Sequence, residues 1–209
     1  MIGLVEVIEY VGTFAFAISG IRLAAKKDFD LFGAYVVGLV TAIGGGTIRD
    51  LCIDATPFWM QNANYLIWSG VALLFVMLFR KYLVRLNITF FIFDTIGLAL
   101  FTVVGIEKTL AAGYDFWVAI VMGGITGAAG GVFRDIFINE IPLIFRKEIY
   151  AVACLIGGLV YYVCAKVGLD MIFVQLLSAL SVALTRIVAV RYQIGLPHIK
   201  KEQDGDVNG

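Results

Sequence analysis

The chain repeats itself at a constant offset of 85 residues, and this constrains its fold more than any other property. Gly12 recurs as Gly97, Phe16 as Phe101, Gly20-Ile21 as Gly105-Ile106 and Asp30 as Asp115. Gly38 recurs as Gly123, Thr41 as Thr126, Gly45-Gly46 as Gly130-Gly131 and Arg49-Asp50 as Arg134-Asp135. Ile53, Pro57 and Tyr65 return as Ile138, Pro142 and Tyr150, and the acids Glu9 and Asp94 fall together. No gap is needed along the register. Composition alone makes two greasy segments alike, but it does not align Gly, Arg, Asp and Pro, so the repeat is one structural unit used twice.

Apolar runs bounded by charge or turn residues predict spans near 4–25, 31–53, 64–80, 88–109, 116–138, 148–166 and 170–190. One helical crossing takes about 20 apolar residues. A 209-residue chain that is 61% hydrophobic and 15% charged would expose a very apolar surface as a soluble globule. The expected fold is therefore an all-α integral membrane protein with the lipid bilayer as its solvent. Residues 1–192 form one domain: repeat one over 3–82, repeat two over 88–167 and a seventh helix over 170–192. Residues 193–209 read as a polar cytoplasmic tail. Three spans per copy is an odd number, so the second copy must enter the bilayer from the opposite face. That gives an inverted three-plus-three repeat, in which a substrate or ion pathway commonly runs near the pseudo-two-fold axis at the midplane.

Lys and Arg set the orientation. With the N-terminus outside, the inner connections carry Arg22, Lys26 and Lys27, then Arg80, Lys81 and Arg85, then Arg146 and Lys147, and finally Arg191, Lys200 and Lys201. Chiefly Lys108 and Lys166 remain outside, so the expectation is N-terminus out and C-terminus in, across a bacterial or archaeal plasma membrane. Glu6 and Glu9 precede any Lys or Arg, the wrong pattern for a cleavable signal peptide. Formal net charge is zero with no basic block, which excludes nucleic acid as a partner. Cys52, Cys154 and Cys164 form neither a disulfide framework nor a metal motif and read as small core residues. His198, the single histidine, lies in the tail, which leaves no His-based metal or catalytic site. Phosphate-loop, HExxH and Ser–His signatures are absent, and the chain is read as neither an enzyme nor a cofactor protein.

The chemistry-bearing residues cluster in spans two and five. Gly44, Gly45 and Gly46, and their counterparts Gly130 and Gly131, weaken a helix and bare its carbonyls, which predicts a broken helix beside a cavity. Close helix packing is the other use of such residues, and is preferred for Gly12, Gly20, Gly97 and Gly105. Arg49-Asp50 and Arg134-Asp135 are the paired charges inside long apolar runs, and intramembrane ionisable groups usually face an aqueous path. A straight helix from Leu31 puts Arg49 about 27 Å along, near the interface, where it could instead snorkel. Glu9 and Asp94 either partner these arginines, or attract cations at a vestibule, or sit as dipole-stabilised interfacial acids. Thr41 and Thr126 offer hydroxyls to an ion, or bond back to their own helices. The aromatic runs Phe90, Phe91 and Phe93, and Tyr161 and Tyr162, read as lipid-facing or interfacial.

The inverted repeat with GGTIRD and GGVFRD closing spans two and five resembles the prokaryotic branch of the trimeric intracellular cation (TRIC) channel family, over about residues 3–192. The resemblance implies a homotrimer with one pore per subunit and spans two and five kinked at the glycines beside it. It also implies monovalent cations as permeant ions, mainly potassium, with sodium the other candidate. The animal members' lysine-containing motif in span two is missing here, Arg49 occupying that neighbourhood. The alternative function is a secondary carrier of a small zwitterion such as glycine, because carriers also build occluded sites from inverted repeats. A purely structural scaffold would leave the repeated Arg-Asp pairs unexplained.

Overall fold

The computed structural model describes residues 4–84, 86–146 and 149–196. Arg85, Lys147 and the tail from 197, with His198, Lys200 and Lys201, lie outside the described residues. The described chain is helical, in the order α1 (Leu4–Lys26), α2 (Leu31–Cys52), α3 (Phe58–Gln61), α4 (Asn64–Leu78), α5 (Arg80–Leu83), α6 (Asn87–Ala111), α7 (Phe116–Phe137), a 3-10 turn (Leu143–Phe145), α8 (Ala151–Val167) and α9 (Met171–Arg191). Among the described residues, five helices are long and apolar enough to cross a membrane: α1, α2, α6, α7 and α9. Two apolar helices, α4 and α8, are shorter.

The elements begin and end where local chemistry dictates. The Asp30 carboxylate accepts a 2.6 Å hydrogen bond from Gly33 N and caps α2. Gly168, at φ +81°, closes α8 in the left-handed region that a side chain would resist. Sequence reading ends the first span near residue 25 and counts Arg22 among the charges of the inner connection. The helix ends at Lys26, and Arg22 is buried within it, donating to the carbonyls of Leu83 and Leu86 and to Thr89 Oγ1. One guanidinium thereby satisfies the carbonyls at the joint between the repeats.

At the centre α1 packs on α2, α6 on α7, α1 on α6 and α2 on α7, with α4 and α8 outside them and α9 against α6 and α8. The contacts across the repeats are reciprocal. Phe16 and Phe101 stack at 5.4 Å, Gly12 faces Phe101, and Gly97 faces Phe16. Gly45 lies against the Thr126 carbonyl and Gly130 against the Thr41 carbonyl. In each pair numbers rise on one helix as they fall on the other, so α1 runs antiparallel to α6 and α2 to α7. Contacts in which i meets j and j meets i are those of a two-fold axis. The two copies are therefore inverted, as the expected odd number of spans per copy predicts.

The α2 and α7 helices run unbroken through Gly44, Gly45, Gly46, Gly130 and Gly131, which corrects the expectation of an unwound turn. The physical reason is the crossing itself. A Cβ on Gly45 or Gly130 would overlap the facing backbone, and one on Gly44 or Gly46 would press into the rings of Phe133 or Phe58. The glycines thus let two backbones touch, the small-residue packing that membranes favour where greasy side chains gain nothing over lipid. Gly20 against Gly38, and Gly105 against Gly123, do the same within each repeat. The α9 helix has no counterpart. Its Val174 covers Ile106 and Tyr161, whereas their repeat mates Ile21 and Val76 line a groove of about 550 Å³ that stays open. Cys154 is buried as expected, but Cys52 is exposed.

Candidate functional site

Each Arg-Asp pair closes the C-terminal end of its helix in the same way. Arg49 donates from Nε and Nη2 to Asp50 Oδ1 at 2.8 and 2.7 Å, and Asp50 Oδ2 accepts from Phe58 N at 2.8 Å. Arg134 Nε donates to Asp135 Oδ1 at 2.9 Å, and Asp135 Oδ2 accepts from Leu143 N at 3.0 Å. Each aspartate thus fastens the short helical turn after its Pro, and that turn roofs a cavity. Neither arginine is exposed at all, so neither snorkels. Arg49 lies over the Phe58 ring at 5.6 Å and Arg134 over Phe90 at 4.7 Å.

Beyond this shared core the two sites differ. Arg134 Nη1 also donates to Ser19 Oγ at 2.8 Å and to Asp94, whose carboxylate accepts from Tyr150 at 3.2 Å. Arg186 of α9 stands 3.8 Å from the other Asp94 oxygen, an ion pair by distance. Around Arg49 the corresponding acid turns away. Glu9 accepts from Tyr65 at 2.8 Å and pairs with Lys108 Nζ at 2.5 Å, a contact short in distance but not aligned as a hydrogen bond. One guanidinium nitrogen of each arginine, Arg49 Nη1 and Arg134 Nη2, remains buried without a hydrogen-bond partner. Lys108 comes from the second repeat, where its mate in the first is Leu23.

Two cavities lie beside these pairs, at opposite ends of α1. The first, about 670 Å³, is lined by Glu6, Glu9, Asp50, Phe58, Tyr65 and Lys108 among others. One wall is a hydrogen-bonded chain, with Asn62 Nδ2 donating to Tyr10 and Tyr10 donating to Glu6. The second, about 250 Å³, is lined by Lys26, Lys27, Asp135, Glu140 and Arg146 with Leu23, Phe90, Ile138 and Leu143. Every residue lining the second has its repeat mate lining the first. The two cavities are one site built twice, facing opposite sides. At the second mouth Glu140 bonds Lys27 and Arg146, and the Lys27 contact holds its carboxyl below the usual range.

The sequence-predicted residues divide accordingly. Asp50 with Glu9 lines the first cavity, Asp135 lines the second, and Arg49, Arg134 and Asp94 sit behind them. Thr41 and Thr126 line neither: each hydroxyl donates at 2.6 Å to its own helix, at Val37 and Met122, and packs against Gly20 or Gly105. The aromatic reading also changes. Phe90 and Phe91 lie over Arg134 and Arg186, and Tyr161 is buried, donating to Glu107. Residues that sequence reading missed are Ser19, Lys108, Arg186 and the two tyrosines Tyr65 and Tyr150. Arg186 carried a signal, being ionisable in the middle of an apolar run. The tyrosines carried one as well, since they repeat in register with Glu9 and Asp94.

An inverted-repeat helical membrane protein with a polar mouth at each end and a charged, buried core between them is the class that this fold and site define. The model of a family described as glycine transporter matches the chain twice, over residues 6–81 and 91–166, again 85 residues apart. The inner membrane protein YadS of Escherichia coli strain K12 is 39% identical over 207 residues, covering 97% of this chain and 99% of that one. The TRIC trimeric intracellular cation channel orthologue from Rhodobacter sphaeroides superposes with TM-score 0.86 at 30% identity, over 91% of this chain and 99% of that one. Another TRIC cation channel, whose structure addresses conductance, gives TM-score 0.85 at 33% identity over 96% and 100%. The chain is an integral membrane protein and belongs to the prokaryotic branch of the TRIC channel family.

Proposed function

We propose that the protein is a passive monovalent-cation channel, potassium-preferring, with an ion path in each subunit that joins the two mouths past the Arg-Asp pairs. The observation that carries this reading is the pair of symmetry-related polar cavities at opposite ends of α1, with buried charge between them. The crossing of α2 and α7 centres between residues 41 and 45. Arg49 then lies roughly 6–12 Å beyond it along the helix axis. With the pseudo-two-fold axis at the midplane, both arginines fall inside a hydrocarbon core about 30 Å thick. Charge at that depth belongs on an aqueous route. Arg49, Asp50, Arg134, Asp135, Glu9 and Asp94 shape the potential along that route. Thr41 and Thr126 set helix spacing.

The seven spans of the proposal are the five long helices plus α4 and α8. The α4 helix spans about 22 Å and α8 about 25 Å, short enough to need local thinning or the continuation of α4 into α5. The membrane domain covers residues 1–192 with the tail at 193–209, the N-terminus outside and the C-terminus inside, assembled as a homotrimer. A second reading, a secondary carrier of a small zwitterion such as glycine, is favoured by the name of the matching family model. Single-channel recording in planar bilayers separates the two. Discrete currents of many ions per opening, with reversal shifting towards the potassium potential in a gradient, support the channel. Saturable, gradient-coupled uptake of glycine without unitary currents overturns it.

A further inference from the structure

We infer that the two mouths make the conduction path electrically one-way in preference, passing cations more readily from the Glu6 mouth to the Lys27 mouth than in reverse. The inference rests on the channel reading above. The second mouth is built from repeat mates of residues lining the first, so a difference in flux between them is set by the side chains that differ and by the further residues, Glu6 and Glu9 among them, that line the first alone. Among the described residues, three carboxylates, Glu6, Glu9 and Asp50, and one ammonium, Lys108, line the first, a net of minus two. Among the described residues, three cations, Lys26, Lys27 and Arg146, and two carboxylates, Asp135 and Glu140, line the second, a net of plus one. Each aspartate is countered by the arginine just behind it, and Asp94, which shares Arg134, has Arg186 at 3.8 Å as a second cation, so the difference of three charges stands.

The differences fall at named positions. Lys26 and Lys27 replace what are Ala111 and Ala112 at the first mouth, and Arg146 replaces Gln61. Glu6 stands where the second mouth's repeat has Phe91, and Glu9's mate Asp94 is off the second wall, while Lys108 against Leu23 and Glu140 against Ala55 offset two charges and leave the difference at three. Fixed charge at a confined mouth raises the local concentration of opposite ions and depletes like ones. A cation entering from the first mouth starts from an enriched pool, whereas one entering from the second starts from a depleted pool. Reversal in symmetric salt stays at zero, because equilibrium is untouched; only the current magnitudes differ. With the N-terminus outside, the preferred direction is inward.

Screening supplies the test. The Debye length is about 30 Å at 10 mM salt and about 3 Å at 1 M. Single channels in symmetric potassium chloride should therefore give a ratio of larger to smaller current of roughly twofold or more at 10–20 mM, falling towards one at 1 M. Each channel is read against itself, so its orientation in the bilayer does not matter. Glu6→Gln keeps an acceptor for Tyr10 but removes the charge, and should lower the larger current. The double variant Lys26→Gln with Lys27→Gln should raise the smaller current. Both should bring the low-salt ratio towards one without moving the reversal potential in a potassium chloride gradient by more than a few millivolts. Conducting channels that are ohmic at 10 mM overturn the inference and leave the channel reading intact. A ratio that does not change with salt, or that survives both variants in folded protein, also overturns it. Absence of any unitary current removes both.

Discussion

At the scale of single residues, the two arginines are equal in sequence and unequal in surroundings, and they should respond unequally to mutation. Arg134 holds Asp135, Asp94 and Ser19, and Asp94 is wholly buried. Arg134→Ala leaves two acids short of a partner and should lower unfolding stability by about 3–5 kcal/mol, read by denaturation in mild detergent. Arg134→Lys should restore little, because one ammonium cannot serve both carboxylates as a planar fork does. Arg49→Ala strands only Asp50, Glu9 already having Lys108, and should cost visibly less than Arg134→Ala. Equal losses at the two positions would contradict the asymmetry described. The identity of the charged residues was legible from their presence in apolar runs. Their partners were not: Ser19 reaches Arg134 across 115 positions and Lys108 reaches Glu9 from the other repeat. A register of 85 aligns each repeat with its mate but says nothing about which side chain crosses between them.

Among the elements, five expected spans coincide with helices long enough to cross a membrane, because long apolar runs ending in charge leave little freedom in their limits, while the expected spans at 64–80 and 148–166 hold the shorter helices α4 and α8. The glycines were the exception. A glycine run lowers helix propensity, and in isolation that argues for a break. Here the facing backbone at Gly45 and Gly130 leaves no room for a side chain, so continuity of both helices is held by contact rather than propensity. Gly45→Ala and Gly130→Ala should therefore each destabilise, by about 1–3 kcal/mol or more, and by similar amounts as the two-fold demands. Gly70 of α4 has nothing within 4 Å of where a Cβ would sit. Gly70→Ala should instead be neutral or stabilising by up to about 1 kcal/mol, since alanine favours the helix. Thermal melts of the three variants check both statements, and a tolerated Gly45→Ala would mean that the helices do not meet there.

For the whole molecule, a symmetric trimer is the expected assembly. Native mass spectrometry in mild detergent should find it, and monomers alone would count against it. The groove left open on the first repeat, where α9 covers the second, shows how one helix without a counterpart breaks an otherwise two-fold molecule. Inversion itself was legible from the odd count of spans expected in each copy. The opposite signs of the mouths were visible only once the cavities showed which charges share a wall.

The same mouth residues have a meaning for biogenesis. Two copies with nearly interchangeable interiors must be threaded into the bilayer in opposite senses, so the interior cannot instruct the insertion machinery. The instruction has to be written where the copies diverge, at their ends, and Lys26 and Lys27 against Ala111 and Ala112 are such a place. Moving that pair, with Lys26→Ala, Lys27→Ala, Ala111→Lys and Ala112→Lys together, should yield a population inserted both ways up. Reporters fused to the C-terminus, one active only inside the cell and one only outside, would both then give signal.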